Sequence, residues 1–528
     1  MPARNAKQKQ PQIDINPEFR RALDVMEQTD RSIFITGRAG TGKSTLLSYF
    51  CHTTRKRAAV LAPTGVAALN VKGQTIHSFF RFKPNITLEQ VKKLRFRDED
   101  QNLYRKLDAV VIDEVSMVRA DLLDCVDKFL RLNGPRPNKP FGGIQMIFIG
   151  DLYQLPPVVA GREREVFEAL YETPYFYGAH VFDSFDMEFV ELEKVYRQRD
   201  EEFIALLNSI RNKTIEEDGL AMLNSRYQPR FEPPPGDFYV YLTTTNALAE
   251  EINGRRLAGL KSGLYTFTAG VEGNFGNEYL PTAIDLRVKE GAQVMMLNND
   301  SMGRWVNGSI GEVTSIVGEG GEHLIVVELA DGETVDVTPF TWEIYSYFVE
   351  GEQLKSEVVG KFTQFPMMLA WAVTIHKSQG KTFERVVIDF GRGTFAHGQA
   401  YVALSRCTSL DGIVLVKPFL KNHILMDYDV VKFLTRFQYR KAELSNPAEE
   451  KLATIGRAIA SRTVLRIVYL KPDDEKSRRD IIPMSVGNME YRGKTFLGLR
   501  AFCLTRNEER TFRIDRILEM EEAGKQDG

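Results

Sequence analysis

The chain has 528 residues and a formal net charge of −2, with 69 Lys and Arg against 71 Asp and Glu. Single hydrophobic cores rarely grow past roughly 250 to 300 residues, so this length predicts several domains. The near-neutral charge does not exclude a nucleic-acid partner, because a large enzyme can confine its basic groups to one groove.

The sequence argues against a membrane or secreted protein and against a protein built on zinc sites or disulfides. No apolar run approaches the roughly 20 residues needed to span a bilayer, and the polar start MPARNAKQKQ has no signal-peptide core. The cysteines stand singly, at Cys51, Cys125, Cys407 and Cys503, without the close pairs of zinc sites or redox motifs and without a dense disulfide framework. We therefore expect a protein of the reducing cytoplasm, with no membrane partner.

Strand-like and helix-like segments alternate through the first third of the chain. SIFITG, AAVLAPTG, DAVVIDEVSM and QMIFIGDLYQLPP each have the pattern of a buried strand followed by a loop, and STLLSYF begins a helix. Successive strands joined by helices predict a parallel sheet covered on both faces. The expected fold class is α/β.

The segment GRAGTGKS, residues 37–44, matches the phosphate-binding pattern G-x-x-x-x-G-K-[ST] between a strand and a helix. Its glycines let backbone N–H groups curl around phosphate oxygens, Lys43 reaches the terminal phosphates, and Ser44 offers a hydroxyl to Mg²⁺. The alternative is an ordinary glycine-rich turn, which the flanking strand and helix disfavour. The candidate nucleotide-binding residues are Gly37, Gly40, Thr41, Gly42, Lys43, Ser44 and Thr45.

The strand VVID carries Asp113 and Glu114 to the carboxyl edge of the sheet. There Asp113, together with Ser44, is a candidate metal-binding residue for Mg²⁺, and Glu114 can polarise the attacking water. The alternative is two carboxylates that cap the following helix. Gln154, after the next strand, can sense the terminal phosphate, although a glutamine in a loop is more often a structural hydrogen-bonder.

The α/β pattern restarts at DFYVYLTTTN, VVIDFG and GIVLVKPF, which predicts a second α/β domain. Within it, residues 284–350 have the strands and Gly and Asn turns of a small β-barrel insertion. We expect the first domain over residues 1–185 and the second over 186–440. A linker is predicted over 441–460 and a strand-rich domain over 461–528.

Several segments together resemble the ordered motifs of superfamily-one helicases, in the branch that moves 5′ to 3′ on DNA. They are GRAGTGKS, APTGVAALNVKGQTIHSFF, VIDEVSM, GDLYQLPPV, VYRQ, AWAVTIHKSQGKTFERVVID and QAYVALSRCTS. NKPFGGIQ, with DKFLR upstream, further resembles the signature of the Pif (petite integration frequency) helicases. The resemblance covers roughly residues 15–435 and implies two RecA-like P-loop domains, with ATP between them and single-stranded DNA across their top.

The resemblance also implies individual roles. The implied catalytic residues are Lys43, Asp113, Glu114, Gln154, Arg197 and Arg406. Spacing alone would not select the two arginines, which the family brings to the terminal phosphate from VYRQ and YVALSRCTS. The implied DNA-binding residues are Thr64, His77, Ser78 and His376. Single-strand grooves do combine backbone donors with stacking rings, although a lone histidine is more often structural.

The resemblance assigns three further segments. The insertion at 284–350 is similar to an SH3-like module that helps to cradle DNA. Residues 78–105, predicted to be helical and charged with KKLRFRDED, fall where the family inserts a wedge that splits the duplex; the alternative is a solvated helix face. Phe19 stands where the family has an adenine-reading glutamine. The preference for ATP over GTP is therefore open, and stacking is a partial substitute.

The last domain resembles a WYL domain, an SH3-like β module that is fused to some bacterial Pif helicases. The name-giving triplet reads Thr495, Phe496 and Leu497 here. We expect the domain to bind single-stranded nucleic acid, and the alternative is a protein-docking module. The arginines that suggest phosphate binding are Arg478, Arg479, Arg500, Arg506, Arg510, Arg513 and Arg516.

The expected function is an ATP- and Mg²⁺-dependent 5′-to-3′ DNA helicase, acting as a monomer in replication, repair or recombination. Its expected partners are single-stranded DNA, tailed duplexes and, by the resemblance, G-quadruplexes and RNA–DNA hybrids. Two alternatives remain: a RecD-like exonuclease subunit, which NKPFGGIQ disfavours, and a P-loop regulator that binds DNA without unwinding it, which the paired arginines disfavour.

Overall fold

The computed structural model of the chain describes residues 15–95, 101–159, 163–198, 200–319, 322–350, 353–390, 393–394, 396–471, 476–491 and 494–525. The chain divides into two compact units. The first unit comprises Met1–Leu207 and Glu217–Leu425, and the second comprises Asn208–Glu216 and Met426–Gly528.

The first body of unit one is a parallel sheet flanked by helices. Its strands are β1 (Ile33–Gly37), β2 (Ala58–Ala62), β3 (Gln74–Thr75), β4 (Ala109–Ile112), β5 (Gln145–Ile149) and β6 (Glu188–Leu192). Its helices are α1 (Pro17–Gln28), α2 (Lys43–Thr53), α3 (Gly65–Asn70), α4 (Ile76–Phe80), α5 (Leu103–Lys106), α6 (Ala120–Asn133) and α7 (Arg164–Leu170). The strands lie in the order β3-β2-β4-β5-β1-β6 and pair in parallel.

Local sequence explains these elements. Strands β1, β4 and β5 are buried at every position, as expected for a parallel sheet with both faces covered. Helix α1 begins at Pro17, where a missing N–H costs nothing, and the Asn16 side chain accepts a hydrogen bond from the Phe19 backbone N–H at 2.8 Å. Phe19, Ala22 and Met26 then follow the helical spacing into the core.

The first body extends further along the chain than predicted. Strand β6, Glu188–Leu192, pairs with β1 over its whole length, so the boundary expected after residue 185 is wrong. A strand belongs to the sheet whose backbone groups it pairs with, and hydropathy does not reveal that partner.

The second body of unit one has its own parallel sheet, in the order β18 (Ala372–Thr374), β7 (Val240–Thr243), β19 (Val386–Asp389) and β20 (Ile413–Leu415). Its elements before the insertion are α8 (Glu201–Arg211), α9 (Glu217–Asn224), β7 (Val240–Thr243) and α10 (Asn246–Gly259). The insertion holds β8 (Tyr265–Thr268), β9 (Gly270–Gly273), β10 (Asp285–Val288), β11 (Gln293–Met296), β12 (Ile310–Glu319), β13 (Glu322–Leu329), β14 (Thr334–Val337), β15 (Phe340–Glu350), β16 (Gln353–Gln364) and β17 (Met367–Leu369). The body closes with β18 (Ala372–Thr374), β19 (Val386–Asp389), α11 (Gln399–Leu404) and β20 (Ile413–Leu415).

The insertion is larger than the predicted 284–350. Its antiparallel sheet, β14-β13-β12-β11-β17, is completed by β17 at Met367–Leu369, and the smaller sheets reach back to β8 at Tyr265. Alternation places Ile325 and Val327 of β13 and Val335 and Val337 of β14 in one core. The prediction missed β8 and β9 because largely exposed strands carry little hydrophobic signal.

The long hairpin β15–β16 docks onto the first body. The Tyr347 hydroxyl accepts a hydrogen bond from the Val60 backbone N–H at 3.4 Å, and the Tyr347 ring packs edge-on against Phe79. The predicted wedge, 78–105, is not one helix: residues 91–95 have no regular structure. Part of KKLRFRDED, residues 96–100, lies outside the described residues.

The second unit is a β domain with two helices. Its elements are α12 (Tyr428–Ser445), α13 (Ala448–Ser461), β21 (Thr463–Leu470), β22 (Lys476–Tyr491), β23 (Lys494–Cys503), β24 (Glu508–Arg513) and β25 (Ile517–Lys525). The strands form an antiparallel sheet in the order β24-β23-β22-β21-β25. The linker predicted over 441–460 is wrong, because Ile455 and Ala458 of α13 are fully buried in the core of this sheet.

Candidate nucleotide and nucleic-acid site

The phosphate-binding segment leaves the end of β1 and enters α2 at Lys43. Gly40 and Gly42 adopt φ values of +80° and +88°, a region that side chains rarely tolerate. A Cβ on Gly40 would also lie 2.5 Å from Cβ of Arg197. The loop therefore needs glycine for its backbone shape and for the approach of the arginine, and it presents backbone N–H groups at a helix start, as anion sites do.

The side chains of the loop divide into two groups. The Lys43 ammonium donates hydrogen bonds to the backbone oxygens of Gly37, at 2.7 Å, and Arg38, at 3.1 Å. The buried Thr41 hydroxyl also donates to Arg38, at 2.9 Å. Ser44 and Thr45 are exposed at the first turn of α2, where their hydroxyls are open to an incoming ligand.

Asp113 and Glu114 lie at the carboxyl end of β4. Burial, followed by the neighbouring charge of Glu114, raises the pKa of Asp113 to about 7. Burial likewise raises the pKa of Glu114, and the Lys43 charge opposes that shift. Glu114 has a left-handed backbone, with φ of +50° and ψ of +41°, and begins a short 3₁₀ turn. Two adjacent buried carboxyl groups need a cation to remain ionised together.

These donors fit Mg²⁺. The ion prefers oxygen ligands and is usually held by one or two carboxylates together with waters and substrate phosphates. The Asp113 carboxylate and the Ser44 hydroxyl supply that kind of donor beside the loop. Among the described residues, no group of three or more His, Cys, Asp or Glu side chains is arranged to hold a metal by itself.

Gln379 reaches Glu114 from the second body. Its side-chain amide donates a hydrogen bond to a Glu114 carboxylate oxygen at 2.9 Å. Its motif, TIHKSQGK, is part of the predicted helicase motifs, but no role was predicted for this residue. The contact joins residues 265 positions apart, so only a comparison with known structures could have revealed it from the sequence. It fixes one oxygen of the carboxylate that was expected to polarise water.

Gln154 is buried, and its side-chain amide donates to the Asp151 carboxylate at 3.2 Å. This hydrogen bond fits the alternative prediction, that a glutamine in a loop is a structural hydrogen-bonder. The start of α11 packs against the loop that contains Gln154. A Cβ on Gly398 would lie 2.3 Å from the Tyr153 backbone oxygen and 2.4 Å from that of Gln154. The segment before Arg406 is therefore packed directly on the Gln154 loop.

Arg197 and Arg406 lie together. Arg406 is 1% exposed, and its guanidinium donates to backbone oxygens of Val402, at 3.0 Å, and Ser378, at 3.4 Å. Arg197 donates to the backbone oxygen of Ser405 at 3.2 Å. Burial, and then the charge of Arg197, lowers the pKa of Arg406 to about 9; burial also lowers the pKa of Arg197.

Within the described residues, neither arginine forms an ion pair with a carboxylate. Removing a charge from water costs several kcal/mol unless an opposite charge compensates it. Two neighbouring guanidinium groups with neutral acceptors, one buried and one half-buried, therefore form a site for an anion. The phosphate-binding loop lies beside them, because Gly40 packs against Arg197. A triphosphate that binds with its metal ion would compensate the positive charges of both guanidinium groups.

Two further contacts at this cleft were missed by the sequence reasoning. The Ala39 backbone N–H, within the loop, donates to the Tyr401 hydroxyl at 3.0 Å. The Gln198 amide donates to the backbone oxygens of Ser405, at 3.2 Å, and Cys407, at 3.0 Å. Both residues lie in motifs that the sequence analysis quoted, QAYVALSRCTS and VYRQ, and the motif itself was the available signal.

The predicted DNA-binding residues are distributed over both bodies. Thr64 is exposed and caps α3, accepting a hydrogen bond from the Ala67 N–H at 3.3 Å. Ser78 is exposed on α4, next to the half-buried His77; His376 is half-buried in the turn after β18. Burial lowers the pKa of both histidines. Both rings are therefore favoured in the neutral form, which suits stacking.

Phe19 is 4% exposed and packs in the core of the first body, edge-on to Tyr49. The ring is therefore part of the hydrophobic core. The expectation that stacking of this ring partly replaces the adenine-reading glutamine is wrong.

Among the described residues, no helix is long and apolar enough to cross a membrane.

Comparisons with known proteins agree with this geometry. The PIF1-like helicase family matches residues 15–219. The ATP-dependent DNA helicase Pif1 of Bdellovibrio bacteriovorus is 31% identical over 441 residues, covering 81% of this chain and 93% of that protein. This chain belongs to the PIF1-like helicase family. The human ATP-dependent DNA helicase PIF1 is 35% identical over 80% of this chain, but the chain spans only 64% of the human protein.

Solved PIF1-family structures match the fold. Bacteroides sp. Pif1 in complex with ADP-AlF4 has a TM-score of 0.74 and 35% identity, covering 80% of this chain and 97% of that one. Bacteroides Pif1 bound to single-stranded DNA has a TM-score of 0.58 and 35% identity, covering 83% and 98%. The predicted fold class is confirmed: two RecA-like P-loop domains with parallel sheets, an SH3-like insertion and a C-terminal β domain.

A WYL domain matches residues 450–522 of this PIF1-like helicase, which confirms the second resemblance. Its arginines differ in their surroundings. Arg510 pairs with Glu508 at 2.5 Å and Arg513 with Asp515 at 2.5 Å. Within the described residues, five of the predicted arginines have no carboxylate partner: Arg478, Arg479, Arg500, Arg506 and Arg516. The Arg513 guanidinium also lies 5.2 Å from the Phe496 ring centre, within the altered triplet.

Proposed function

We propose that the chain is an ATP- and Mg²⁺-dependent DNA helicase that moves 5′ to 3′ on single-stranded DNA and unwinds duplexes. The observation that carries the proposal is that the half-buried Arg197 and the buried Arg406 lie together beside the phosphate-binding loop, with no carboxylate partner among the described residues. Arginines that approach the terminal phosphate across a cleft are the parts that hydrolysis needs, and such an arginine contributes about 10³ to 10⁵ in rate.

We assign the roles within the proposed cycle from the resemblance, supported by the positions of these residues beside the loop. Lys43, Ser44 and Asp113 hold the phosphates and the metal, Glu114 polarises water, and Gln154 senses the terminal phosphate. Binding of the triphosphate draws Arg197 and Arg406 onto the phosphate, and its loss releases them. A ligand shifts such an equilibrium only by its differential contacts with the two states. The γ-phosphate supplies that difference here.

The proposed partners are single-stranded DNA and tailed duplexes, gripped by Thr64, His77, Ser78 and His376. Support comes from the Bacteroides relative, whose structure with single-stranded DNA shares 35% identity with this chain. We extend the proposal to G-quadruplexes and RNA–DNA hybrids, to a monomer, and to a role in replication, repair or recombination. The WYL domain is proposed to add single-strand binding through its unpaired arginines.

The deciding experiment is unwinding of duplexes that carry either a 5′ or a 3′ single-stranded tail, with and without ATP and Mg²⁺. We expect the 5′-tailed duplex alone to be unwound, and only with both cofactors. Lys43→Ala should abolish DNA-stimulated ATP hydrolysis while DNA binding largely persists, because the DNA-contacting residues lie outside the loop.

Four outcomes would contradict the proposal. Equal unwinding of both tails removes the assigned polarity, and persistent hydrolysis by Lys43→Ala removes the assigned nucleotide site. Hydrolysis with DNA binding but no unwinding would leave the DNA-binding regulator as the function. Strand degradation in a reconstituted complex would instead favour the RecD-like exonuclease subunit.

A further inference from the structure

Lys381 is a half-buried lysine in the segment that follows Gln379. Its ammonium group donates a hydrogen bond to the side-chain oxygen of Asn307 at 2.5 Å. Asn307 belongs to the loop between β11 and β12 of the SH3-like insertion, and this loop lies close to the lysine: a Cβ on Gly308 would be 3.5 Å from the Lys381 Cβ. The loop covers the lysine without neutralising it.

The charge of Lys381 is uncompensated within the described residues. Asn307 is neutral, and no carboxylate pairs with the ammonium group. Burial alone lowers the pKa of Lys381 to about 8, with no opposing carboxylate charge. Lys289, elsewhere in the same insertion, is also part-buried and also donates to a neutral oxygen, that of the Leu260 backbone at 2.7 Å, so it provides a matched control. A half-buried cation with only a neutral acceptor is costly and gains from an anion.

The surroundings of Lys381 belong to the proposed strand-binding side of the molecule. The Asn307 side chain also donates to Asn70, at 3.4 Å, at the end of the helix that Thr64 caps. Lys381 itself lies five positions after His376 in the same segment of the second body. The pair Asn307 and Lys381 therefore meets both RecA-like domains, next to residues already proposed to contact DNA.

We propose that Lys381 binds a backbone phosphate of single-stranded DNA. The phosphate then replaces the side-chain oxygen of Asn307 as the acceptor for the Lys381 ammonium group. The inference rests on the proposed function. A phosphate is favoured over a base, because the ammonium group is a point charge with three donors and no stacking surface. Met302 and Val306 of the same loop are 76% and 61% exposed, so the loop also presents apolar surface to solvent.

One further contact links this site to hydrolysis. The backbone oxygen of Lys381 accepts a hydrogen bond from the Arg406 guanidinium at 3.4 Å. A strand that draws the Lys381 side chain outward therefore acts on the residue that holds one of the two arginines of the nucleotide site. The proposal itself concerns only the binding of the phosphate.

The test measures binding of a fluorescent oligothymidine to the full chain between about 50 and 200 mM salt. Each lost phosphate contact to a single strand reduces the slope of log K against log salt concentration by about 0.7. We expect Lys381→Gln to show that reduction and Lys381→Arg to retain the wild-type slope. Lys289→Gln, which removes a lysine that also binds a neutral oxygen, should retain it as well.

Asn307→Ala separates phosphate binding from a purely structural role. It removes the neutral acceptor and keeps the charge, so the slope should stay at the wild-type value and affinity should be equal or higher. A loss equal to that of Lys381→Gln would mean that the pair only joins the two segments, and would overturn the proposal.

Two other results would also overturn it. An unchanged slope for Lys381→Gln excludes the strand phosphate, and a raised KM for ATP with an unchanged slope assigns the lysine to a nucleotide phosphate instead. A wild-type chain that neither binds the oligonucleotide nor unwinds DNA would refute the proposed function. A wild-type chain that does both, with an unaltered Lys381→Gln variant, would refute this inference alone.

Discussion

The hydrogen bond from Gln379 to Glu114, 2.9 Å long, gives a single side chain a measurable role. A buried carboxylate that must orient water depends on the donor that fixes its oxygen, and a misplacement of about 1 Å can cost roughly 100-fold in rate. We expect Gln379→Leu to lower kcat for DNA-stimulated ATP hydrolysis by about 10- to 100-fold. KM for ATP should change little, since the loop and Lys43 are untouched, and steady-state kinetics at saturating DNA measures both.

The matched control for that variant is Gln228→Leu. Gln228 is an exposed amide in the same second body, so its loss should leave kcat unchanged. Single-strand affinity and the melting temperature of Gln379→Leu should remain near the wild-type values. A rise in KM proportional to the fall in kcat would show instead that Gln379 shapes the nucleotide-binding pocket as a whole.

At the scale of elements, the start of α11 depends on a glycine. Gly398 has φ of +72°, and a Cβ there would collide with the backbone oxygens of Tyr153 and Gln154. We expect Gly398→Ala to push α11 away from the Gln154 loop and to lower DNA-stimulated ATP hydrolysis at least tenfold, since a shift of about 1 Å suffices. The helix carries Tyr401, and Arg406 follows it, so both would move with it. The ATPase rate at saturating ATP and DNA measures the effect.

The same change, from glycine to alanine, should stabilise the protein when it is made in α10. Gly254 lies inside that helix with nothing within 4 Å of an added Cβ, so Gly254→Ala should raise the free energy of unfolding by about 0.5–1 kcal/mol. Urea denaturation measures this change, and ATP hydrolysis should remain at the wild-type rate. Similar losses of hydrolysis from both variants would indicate general sensitivity to alanine and would contradict the role of Gly398.

Elements with a strong local pattern could be predicted from the sequence. Apolar runs of the right length fixed β1, β4 and β5, and the loop at 37–44 follows one of them. Pairing partners could not be predicted, because backbone hydrogen bonds between distant segments leave no local signal. This explains why β6 was assigned to the second domain and why β17 was left out of the insertion.

The prediction for the segment of α13 was wrong for a different reason. Its segment follows a polar stretch and was taken with that stretch as a linker, while apolar positions at helical spacing, such as Ile455 and Ala458, bury one face of the helix. The candidate site shows the same division. The residues of the nucleotide-site motifs lie together, whereas the contact between Gln379 and Glu114 depends on how the two bodies meet.

At the scale of the whole molecule, the WYL domain adds positive charge that the net charge of −2 conceals. Arg478, Arg500 and Arg506 are exposed, and none pairs with a carboxylate among the described residues. Changing all three to Gln should therefore weaken single-strand binding. Three lost phosphate contacts would reduce the slope of log K against log salt concentration by about 2.

The control for this triple variant is Arg510→Gln with Arg513→Gln. Glu508 and Asp515 already neutralise those two guanidinium groups, at 2.5 Å each, so an approaching phosphate would have to break an ion pair and gain little. We expect their slope to stay within about 0.5 of the wild-type value. Equal losses from both variants would mean that the domain acts through its total charge, and no loss from the triple variant would favour a protein-docking module. Because exposed charges are screened over about 10 Å at 0.1 M salt, only arginines close to the strand can produce the expected difference.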